Sequence, residues 1–122
     1  MARRPDQTPV WFITGCSSGF GAEIARQVLE GGARAVITAR NVETLAHLAN
    51  AHKERALALA LDVTQSAQIN AAFDAALAQF GQIDIVCNNA GVSYLTSIEE
   101  GDETRVRKLF ETNFFGALAV IK

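Results

Sequence analysis

Short apolar runs alternate along this chain with longer segments in which apolar residues recur every three or four positions. That spacing places side chains on one face of a helix, so the longer segments predict amphipathic helices. The apolar runs predict strands at residues 10–14, 35–38, 56–61 and 83–87. Strands that alternate with helices are typical of repeated βα units, in which helices cover a parallel sheet.

Residues that begin and end helices stand at the borders of these segments. Asn41 and Thr64 precede two helical segments, and each can accept a hydrogen bond from a free N–H in the first turn. Gly81 follows the third helical segment, where a left-handed C-terminal cap is expected. The last helical segment begins near Glu103 and continues to the end of the sequence without a stop signal.

The pattern also predicts which residues are buried. The run 56–61 is almost continuously apolar, which predicts a strand covered on both faces. Phe110, Phe114 and Phe115 lie on the last helical segment and are expected mostly in the core. Asn113 falls on the same apolar stripe, so its amide must find hydrogen-bond partners or destabilise the fold by about 1–3 kcal/mol.

The composition limits the class of protein. The 122 residues suffice for one domain at most, and 49% apolar with 20% charged residues indicate a globular chain. Eleven basic and thirteen acidic residues leave a net charge of −2, which predicts neither nucleic acid nor an anionic membrane as a partner. No apolar run approaches the roughly 18 residues of a membrane span, and the polar N-terminus has no apolar signal segment. Two cysteines, Cys16 and Cys87, suit a reducing compartment, so a cytoplasmic protein is expected.

The histidines and cysteines do not form a pattern of metal ligands. His47 and His52 lie five positions apart, off the spacing of ligands on one helix face, and no cluster of Cys or carboxylate residues accompanies them. Both histidines are expected to be solvated. The two cysteines are expected to be small packing residues rather than a redox pair, and no metal site is predicted.

The sharpest chemical signal lies between the first strand and the first helix. Residues 14–21 read Thr-Gly-Cys-Ser-Ser-Gly-Phe-Gly. Glycines there allow a tight turn and close approach of the backbone to a pyrophosphate, and the following helix presents free N–H groups to its phosphates. Ser17 and Ser18 can add hydroxyl donors or cap the helix. Taken alone, this loop leaves an ordinary glycine-rich turn open as the alternative.

The order of several motifs resembles one family. The loop follows the pattern T-G-x-x-x-G-x-G, and with it the sequence resembles the short-chain dehydrogenase/reductase family. Three further segments match in order: Asp62-Val63 after the third strand, residues 88–91 (Asn-Asn-Ala-Gly) after the fourth, and Asn113 in the last helix. The resemblance covers residues 10–122. It implies an α/β fold with a Rossmann-type doubly wound parallel sheet and helices on both faces, truncated after the fourth strand and the following helix, with residues 1–122 forming the N-terminal part of one NAD(P)-binding domain.

The resemblance also implies roles for individual residues. Asp62 matches the acid that contacts the adenine, and residues 88–91 match the segment that steadies the central sheet and lines the cofactor. Asn113 matches the asparagine of the catalytic tetrad, which interrupts regular helix bonding and holds a water in the proton relay. Phe20 stands where isoleucine or leucine is common. The implied cofactor-binding residues are Thr14, Gly15, Ser17, Ser18, Gly19, Phe20, Gly21, Arg40, Asp62, Val63, Asn89, Ala90 and Gly91.

The residues that follow the second strand bear on the choice of coenzyme. A site for NAD places an acid about 20 residues beyond the glycine loop, where it binds the ribose 2′-hydroxyl. The segment from Thr38 to Asn41 contains no acid, and Arg40 can pair with a 2′-phosphate. NADP(H) is therefore predicted over NAD, with a solvated arginine as the alternative.

Part of the catalytic set that the resemblance implies has no counterpart in the sequence. The family protonates carbonyls with a tyrosine, assisted by a lysine four positions later and a serine that orients the substrate. Tyr94 is followed four positions later by Ile98, and the resemblance places the family's Ser and Tyr-x-x-x-Lys after the helix of Asn113. We expect a fragment of an NADP(H)-dependent oxidoreductase of carbonyl or alcohol substrates, inactive alone and homo-oligomeric when full length. The alternative is a non-catalytic nucleotide-binding or interaction module that recruits a partner through its fourth strand.

Overall fold

Four parallel strands form one sheet in the order β3-β2-β1-β4. The computed structural model describes residues 8–91 and 102–121, so Tyr94 lies outside the described residues. Val10 pairs with Arg34 on one side of β1, and Trp11 pairs with Ile85 on the other. The strands are β1 (Val10–Ile13), β2 (Arg34–Ala39), β3 (Ala56–Ala60) and β4 (Ile85–Cys87). All four predicted strands are confirmed, as is the α/β fold class with a parallel sheet.

Helices connect the strands and cover both faces of the sheet. Asn41 caps the segment before α2, because its Oδ1 accepts the N–H of Glu43, as predicted. Gly81 ends α3 in the left-handed conformation with φ of 78°, also as predicted. The helices are α1 (Gly19–Glu30), a 3₁₀ turn (Val42–Leu45) continuing into α2 (Ala46–Ala51), α3 (Ser66–Phe80), α4 (Glu103–Phe110), a π-helical turn (Glu111–Gly116) and α5 (Ala117–Ile121). Within the described ranges, no helix is long and apolar enough to cross a membrane.

The core is divided by the sheet into two clusters, because successive residues of a strand point to opposite faces. Phe12 belongs to the first cluster, where its ring stacks on Phe73 of α3 with centroids 4.2 Å apart. Val120 of α5 packs into the same cluster. Ile13 belongs to the second cluster, together with Leu29 of α1. Burial on both faces explains why β1 and β2 are apolar at nearly every position.

Two expectations for β3 and its surroundings are wrong. The strand lies at the edge of the sheet and is half-buried, because its outer edge has no neighbouring strand among the described residues. Thr64 does not cap α3; Gln65 occupies that position without a side-chain bond. The Thr64 hydroxyl instead donates to the carboxylate of Asp62 at 2.7 Å, because a charged acceptor two residues away competes with the helix terminus.

The last helical segment is not a continuous α-helix with its aromatic residues in the core. A π-helical turn separates α4 from α5, and its wider turn shifts the direction of every residue that follows. Phe110, Phe114 and Phe115 are about half exposed, at 52%, 54% and 52%. Asn113 is exposed as well. The predicted stripe assumed a constant period of 3.6 residues, which the π turn interrupts.

Candidate functional site

The loop between β1 and α1 has the backbone conformation that glycine permits. Gly15 and Gly19 have φ values of 70° and 62°, in the left-handed region that other residues rarely adopt. A Cβ atom on Gly19 would meet no atom within 4 Å, so the space beside this residue is open. Ser18 precedes α1 in an extended conformation and makes no side-chain cap, which leaves the first N–H groups of α1 available to an anion.

At Gly15 and Gly21 the backbone packs too closely against its neighbours for any residue larger than glycine. A Cβ on Gly21 would stand 2.0 Å from the carbonyl oxygen of Gly15, and a Cβ on Gly15 would stand 2.9 Å from Cα of Ala90. The glycines therefore let α1 approach the loop and let the loop approach the end of β4. The cradle fits the backbone approach that a dinucleotide pyrophosphate requires.

Thr14 joins the loop to the segment after β4. Its hydroxyl oxygen accepts the N–H groups of Asn89 and Ala90, each at 2.9 Å, and Thr14 is fully buried. The side chain of Asn89 donates a hydrogen bond from Nδ2 to the carbonyl oxygen of Gly15 at 3.2 Å. These bonds hold residues 14–15 and 89–90 as one rigid edge of the site.

Cys16 is anchored on the side of β2 and is a packing residue, as expected. Its N–H donates to the carbonyl oxygen of Thr38 at 2.9 Å, and its thiol donates to the carbonyl oxygen of Ile13 at 3.4 Å. Burial raises the pKa of the Cys16 thiol to about 12, so it is protonated at neutral pH. Cys16 belongs to the second core cluster, and Cys87 packs against that cluster. Neither cysteine forms a disulfide bond.

A cleft of about 250 Å³ opens at the carboxyl ends of the strands. This edge of a parallel sheet is where ligands bind in doubly wound folds. Nine of the residues predicted for cofactor binding line it, and three residues that the sequence did not predict join them. The predicted residues are Gly15, Ser17, Ser18, Arg40, Asp62, Val63, Asn89, Ala90 and Gly91, and the additional ones are Ala39, Leu61 and Thr112.

Five predicted residues do not line the cleft. Thr14 is buried beneath it, and Gly19 and Gly21 shape the turn and the start of α1. The side chain of Phe20 is 84% exposed on the first turn of α1. Asn113 is the fifth, and it lies against the rim.

The π-helical turn brings Asn113 and Thr112 to the site. A Cβ on Gly91 would stand 3.1 Å from Oδ1 of Asn113, so the asparagine side chain packs against the end of the segment that lines the cleft. Gly116 allows the turn to approach the segment after β3, because a Cβ there would stand 2.5 Å from Cγ2 of Val63. The turn is the interruption of helix bonding that the resemblance implies for Asn113. The sequence did not predict Thr112 as a residue of the cleft, because its position next to Asn113 is the only signal for it.

Arg40 stands between the cleft and a neighbouring hollow. The hollow, of about 410 Å³, is lined by Ser17, Arg40, Asn41 and Thr44. The positive charge of Arg40 contributes to lowering the pKa of Asp62, after the larger effect of hydrogen bonds from Thr64. The hydroxyl of Thr44 donates to the carbonyl oxygen of Asn41 at 2.7 Å. The guanidinium of Arg40, the hydroxyl of Ser17 and the amide of Asn41 are suited to bind a phosphate group.

A second groove, more apolar than the cleft, lies between α3, β4 and α5. It has a volume of about 900 Å³ and is lined by residues of α3, β4 and α5, among them Phe73, Val86 and Ile121. Asn88 joins the strand to α5, because its Nδ2 donates to the carbonyl oxygen of Ala117 at 2.8 Å. Its Oδ1 is buried and has no partner among the described residues. The described residues contain no group of three or more His, Cys, Asp or Glu side chains that could hold a metal ion.

Comparisons with known proteins agree with this architecture. The family model described as short chain dehydrogenase matches residues 9–122. "Oxidoreductase calM" of Penicillium decumbens is 44% identical over 114 residues, which cover 90% of this chain and 37% of that protein. A short-chain dehydrogenase from Streptomyces avermitilis superposes with a TM-score of 0.90 at 38% identity, over 94% of this chain and 42% of that one.

Two further solved structures contain coenzymes. A 3-ketoacyl-(acyl-carrier-protein) reductase from Brucella melitensis, complexed with NADH, has a TM-score of 0.88 and 33% identity over 93% of this chain and 48% of that one. An alcohol dehydrogenase from the archaeon Thermococcus sibiricus, complexed with 5-hydroxy-NADP, has a TM-score of 0.89 and 28% identity over 94% of this chain and 51% of that one. The chain thus spans about two fifths to one half of the length of these four proteins.

Proposed function

This chain belongs to the short-chain dehydrogenase/reductase family, and from that premise we propose that it is the coenzyme-binding part of an NADP(H)-dependent oxidoreductase. The reaction class is hydride transfer between a nicotinamide and a carbonyl or alcohol substrate. Bound NADP(H) supplies the hydride chemistry, and the residues of this chain bind and orient it. The observation that carries the coenzyme assignment is Arg40, which borders both the cleft and the hollow beside it.

The glycine loop binds the pyrophosphate in this proposal. The open space beside Gly19 and the uncapped N–H groups of α1 support it, because an anion there interacts with both the donors and the helix dipole. Ser17 and Ser18 line the cleft and add hydroxyl donors. Thr14 and Asn89 keep the loop in this shape before the coenzyme arrives, which reduces the entropy lost on binding.

The adenosine end extends towards Asp62 and Arg40. Asp62 and Val63 line the cleft at the end of β3 and contact the adenine. The 2′-phosphate enters the hollow beside Arg40, whose guanidinium matches a phosphate in charge and geometry. NADP(H) is favoured over NAD because the end of β2 offers this cation instead of an acid.

The nicotinamide end lies towards Ala90, Gly91 and the π-helical turn. Asn113 packs against Gly91, which supports a role in holding a water of the proton relay. Because the chain spans part of its relatives' length, the serine, tyrosine and lysine of the relay are assigned to the rest of a longer protein. That protein acts on a small carbonyl or alcohol in the cytoplasm and assembles with copies of itself.

Nucleotide titration tests the coenzyme assignment. We expect the chain to bind NADPH at least ten-fold more tightly than NADH, because a phosphate paired with an arginine contributes about 1.5–3 kcal/mol in a charge-assisted bond. Calorimetry with NADPH and NADH measures the ratio of the two affinities. A titration with free adenosine 2′,5′-bisphosphate shows whether the adenosine end of the coenzyme accounts for that ratio. Equal affinity for NADPH and NADH would contradict the role of Arg40, and no binding of either would contradict the function.

A non-catalytic interaction module is the second candidate. Among the described residues no strand pairs with the outer edge of β4, and an apolar groove adjoins it. Both features favour this candidate, because an open strand edge can pair with an extended segment of a partner. The coding sequence downstream of residue 122 separates the two candidates. A Ser followed by Tyr-x-x-x-Lys supports the enzyme, whereas a stop codon supports the module.

A further inference from the structure

The carboxylate of Asp62 is held at one of its two oxygens by a single neighbouring residue. Oδ1 accepts the N–H of Thr64 at 3.0 Å and the hydroxyl of Thr64 at 2.7 Å. Among the described residues, the structure shows no donor to Oδ2. Thr64 therefore fixes the rotation of the carboxyl group while one oxygen keeps its lone pairs for a further donor.

The backbone of Asp62 is held equally firmly. Its N–H donates to the side-chain oxygen Oε1 of Gln68 at 2.8 Å, and its carbonyl oxygen accepts the N–H of Gln65 at 2.9 Å. The two hydrogen bonds from Thr64 lower the pKa of the carboxyl group, the opposing effect of burial is smaller, and the charge of Arg40 assists. Asp62 is therefore ionised at neutral pH and acts only as an acceptor.

An oriented acceptor at this position can distinguish purine bases. Asp62 lines the cleft at the end of β3, where the proposed function places the adenine. The 6-amino group of adenine donates hydrogen bonds, whereas the 6-oxo group of hypoxanthine only accepts them. Its partially negative oxygen would face the negatively charged carboxylate oxygen. A carboxylate that rotates freely loses part of this discrimination, because it pays the entropy of orientation on binding.

We propose that Thr64 is a positioning residue for purine recognition: it holds Oδ1 of Asp62 so that Oδ2 accepts the 6-amino group of an adenine dinucleotide. The proposal rests on the proposed function, since it takes the adenine to be the group beside Asp62. Thr64 contacts neither the coenzyme nor the reacting atoms and acts through Asp62. A purely structural turn, which ends β3 and leads into α3, is the alternative role for the same bonds.

The ratio of the affinities for two nucleotides distinguishes a positioning role of Thr64 from a purely structural one. The probes are NADPH and its hypoxanthine counterpart, which differ only in the base. The variants are Thr64→Val and Thr64→Ala, which remove the hydroxyl, and Thr64→Ser, which restores it. Thr104→Val is the matched control, because Asp102 accepts the N–H of Thr104 at 2.9 Å in the same Asp-x-Thr arrangement outside the cleft.

We expect the unaltered chain to prefer NADPH by about ten-fold, since a hydrogen bond to a charged group contributes at least about that factor. Thr64→Val and Thr64→Ala should reduce the preference to about three-fold or less, chiefly by weakening NADPH, while Thr64→Ser and Thr104→Val retain it. Urea unfolding of every variant shows whether stability changes alongside.

Three outcomes would overturn the positioning role. Equal losses of affinity for both nucleotides in Thr64→Val and Thr64→Ala would show a structural role instead. An unchanged preference in these variants would show that Asp62 needs no support from Thr64, and in both cases NADPH binding by the unaltered chain would leave the proposed function intact. Binding of neither nucleotide by the unaltered chain would overturn the proposed function and the positioning role with it.

Discussion

The hydroxyl oxygen of Thr14 accepts the backbone N–H of Asn89 at 2.9 Å, across 75 positions of sequence. The same oxygen accepts the N–H of Ala90, so one buried side chain on β1's end satisfies two donors of the segment after β4. The contact couples the glycine loop to the opposite wall of the cleft. Loss of the Thr14 hydroxyl therefore affects stability and the site together.

Thr14→Val should destabilise the protein by about 1–3 kcal/mol, because it keeps the shape of the side chain but removes the acceptor of the Ala90 N–H. The N–H of Asn89 would keep only the carbonyl oxygen of Cys87, at 3.1 Å. Nucleotide affinity should fall as well, since residues 89–90 are no longer tied to the loop. Urea unfolding and calorimetric titration measure the two effects. Thr14→Ser keeps the oxygen and should behave like the unaltered chain; a Val variant of full stability would contradict the assignment.

Gly21→Ala should abolish measurable nucleotide binding, because its Cβ would stand 2.0 Å from the carbonyl oxygen of Gly15 and must displace the loop. Overpacking of this kind also lowers stability by about 1–3 kcal/mol. Gly31→Ala is the control at the other end of α1, where φ is −75° and the nearest atom would lie at 3.2 Å. Comparable nucleotide binding by both variants would show that the close approach is unimportant.

Arg40→Asp should shift the coenzyme preference from NADP(H) towards NAD(H). The acid repels a 2′-phosphate and can accept the 2′-hydroxyl of NAD, so we expect the ratio of affinities to change by about ten-fold or more. Titration of the variant with both coenzymes measures the ratio. Arg55→Lys is a control cation away from the cleft, where Arg55 bonds to carbonyl oxygens of Leu29 and Ala33. A ratio that Arg40→Asp leaves unchanged would rule out this residue as the determinant.

Alkaline pH should destabilise the protein through Cys16. Burial raises the pKa of its thiol from 9.0 in the unfolded chain to about 12 in the fold. The thiol therefore contributes its full stabilisation below about pH 9, and this contribution is lost as the pH rises towards 12, at up to about 1.4 kcal/mol per pH unit. Urea unfolding between about pH 8 and about pH 11 should show a steeper decline for the unaltered chain than for Cys16→Ala. If the free energy of unfolding fell equally with pH in both proteins, a group other than Cys16 would be responsible for the alkaline destabilisation.

The chain should self-associate through the side of β4. Val86 is 43% exposed on this strand, and Ile121, which lines the same groove, is 73% exposed. In the part of the chain that the structure describes, the outer edge of β4 has no neighbouring strand, so it adjoins an apolar surface without a partner. Light scattering after size-exclusion chromatography should give a mass above that of the monomer. Val86→Lys should lower that mass, because a lysine on an edge strand opposes pairing. Leu77→Lys, at a residue 47% exposed on α3, is the control and should leave it unchanged.

The glycine loop was marked by its own spacing, and the resemblance to the family marked Asp62 and residues 88–91 as further members of the candidate site. The glycine spacing, Asp62 and residues 88–91 each follow a predicted strand, and the ends of parallel strands must meet at one edge of the sheet. Nine predicted residues line the cleft for that reason. Thr112 was not predicted, because its place depends on the π-helical turn, which no simple periodicity indicates. Phe20 belongs to the glycine motif by position, but its side chain is exposed on the first turn of α1 and does not line the cleft.

The sequence alone determined the four strands and the parallel α/β class, because both depend on the hydrophobic period within a few residues. Its motifs and their resemblance to one family marked the residues gathered at the ends of the strands. The tertiary structure decided the strand order, the half-buried edge position of β3, the exposure of Phe114, and the contact between Thr14 and Asn89. These features arise from contacts between residues far apart in the chain and from one irregular helical turn. Their energies depend on distances that only the assembled sheet and helices establish.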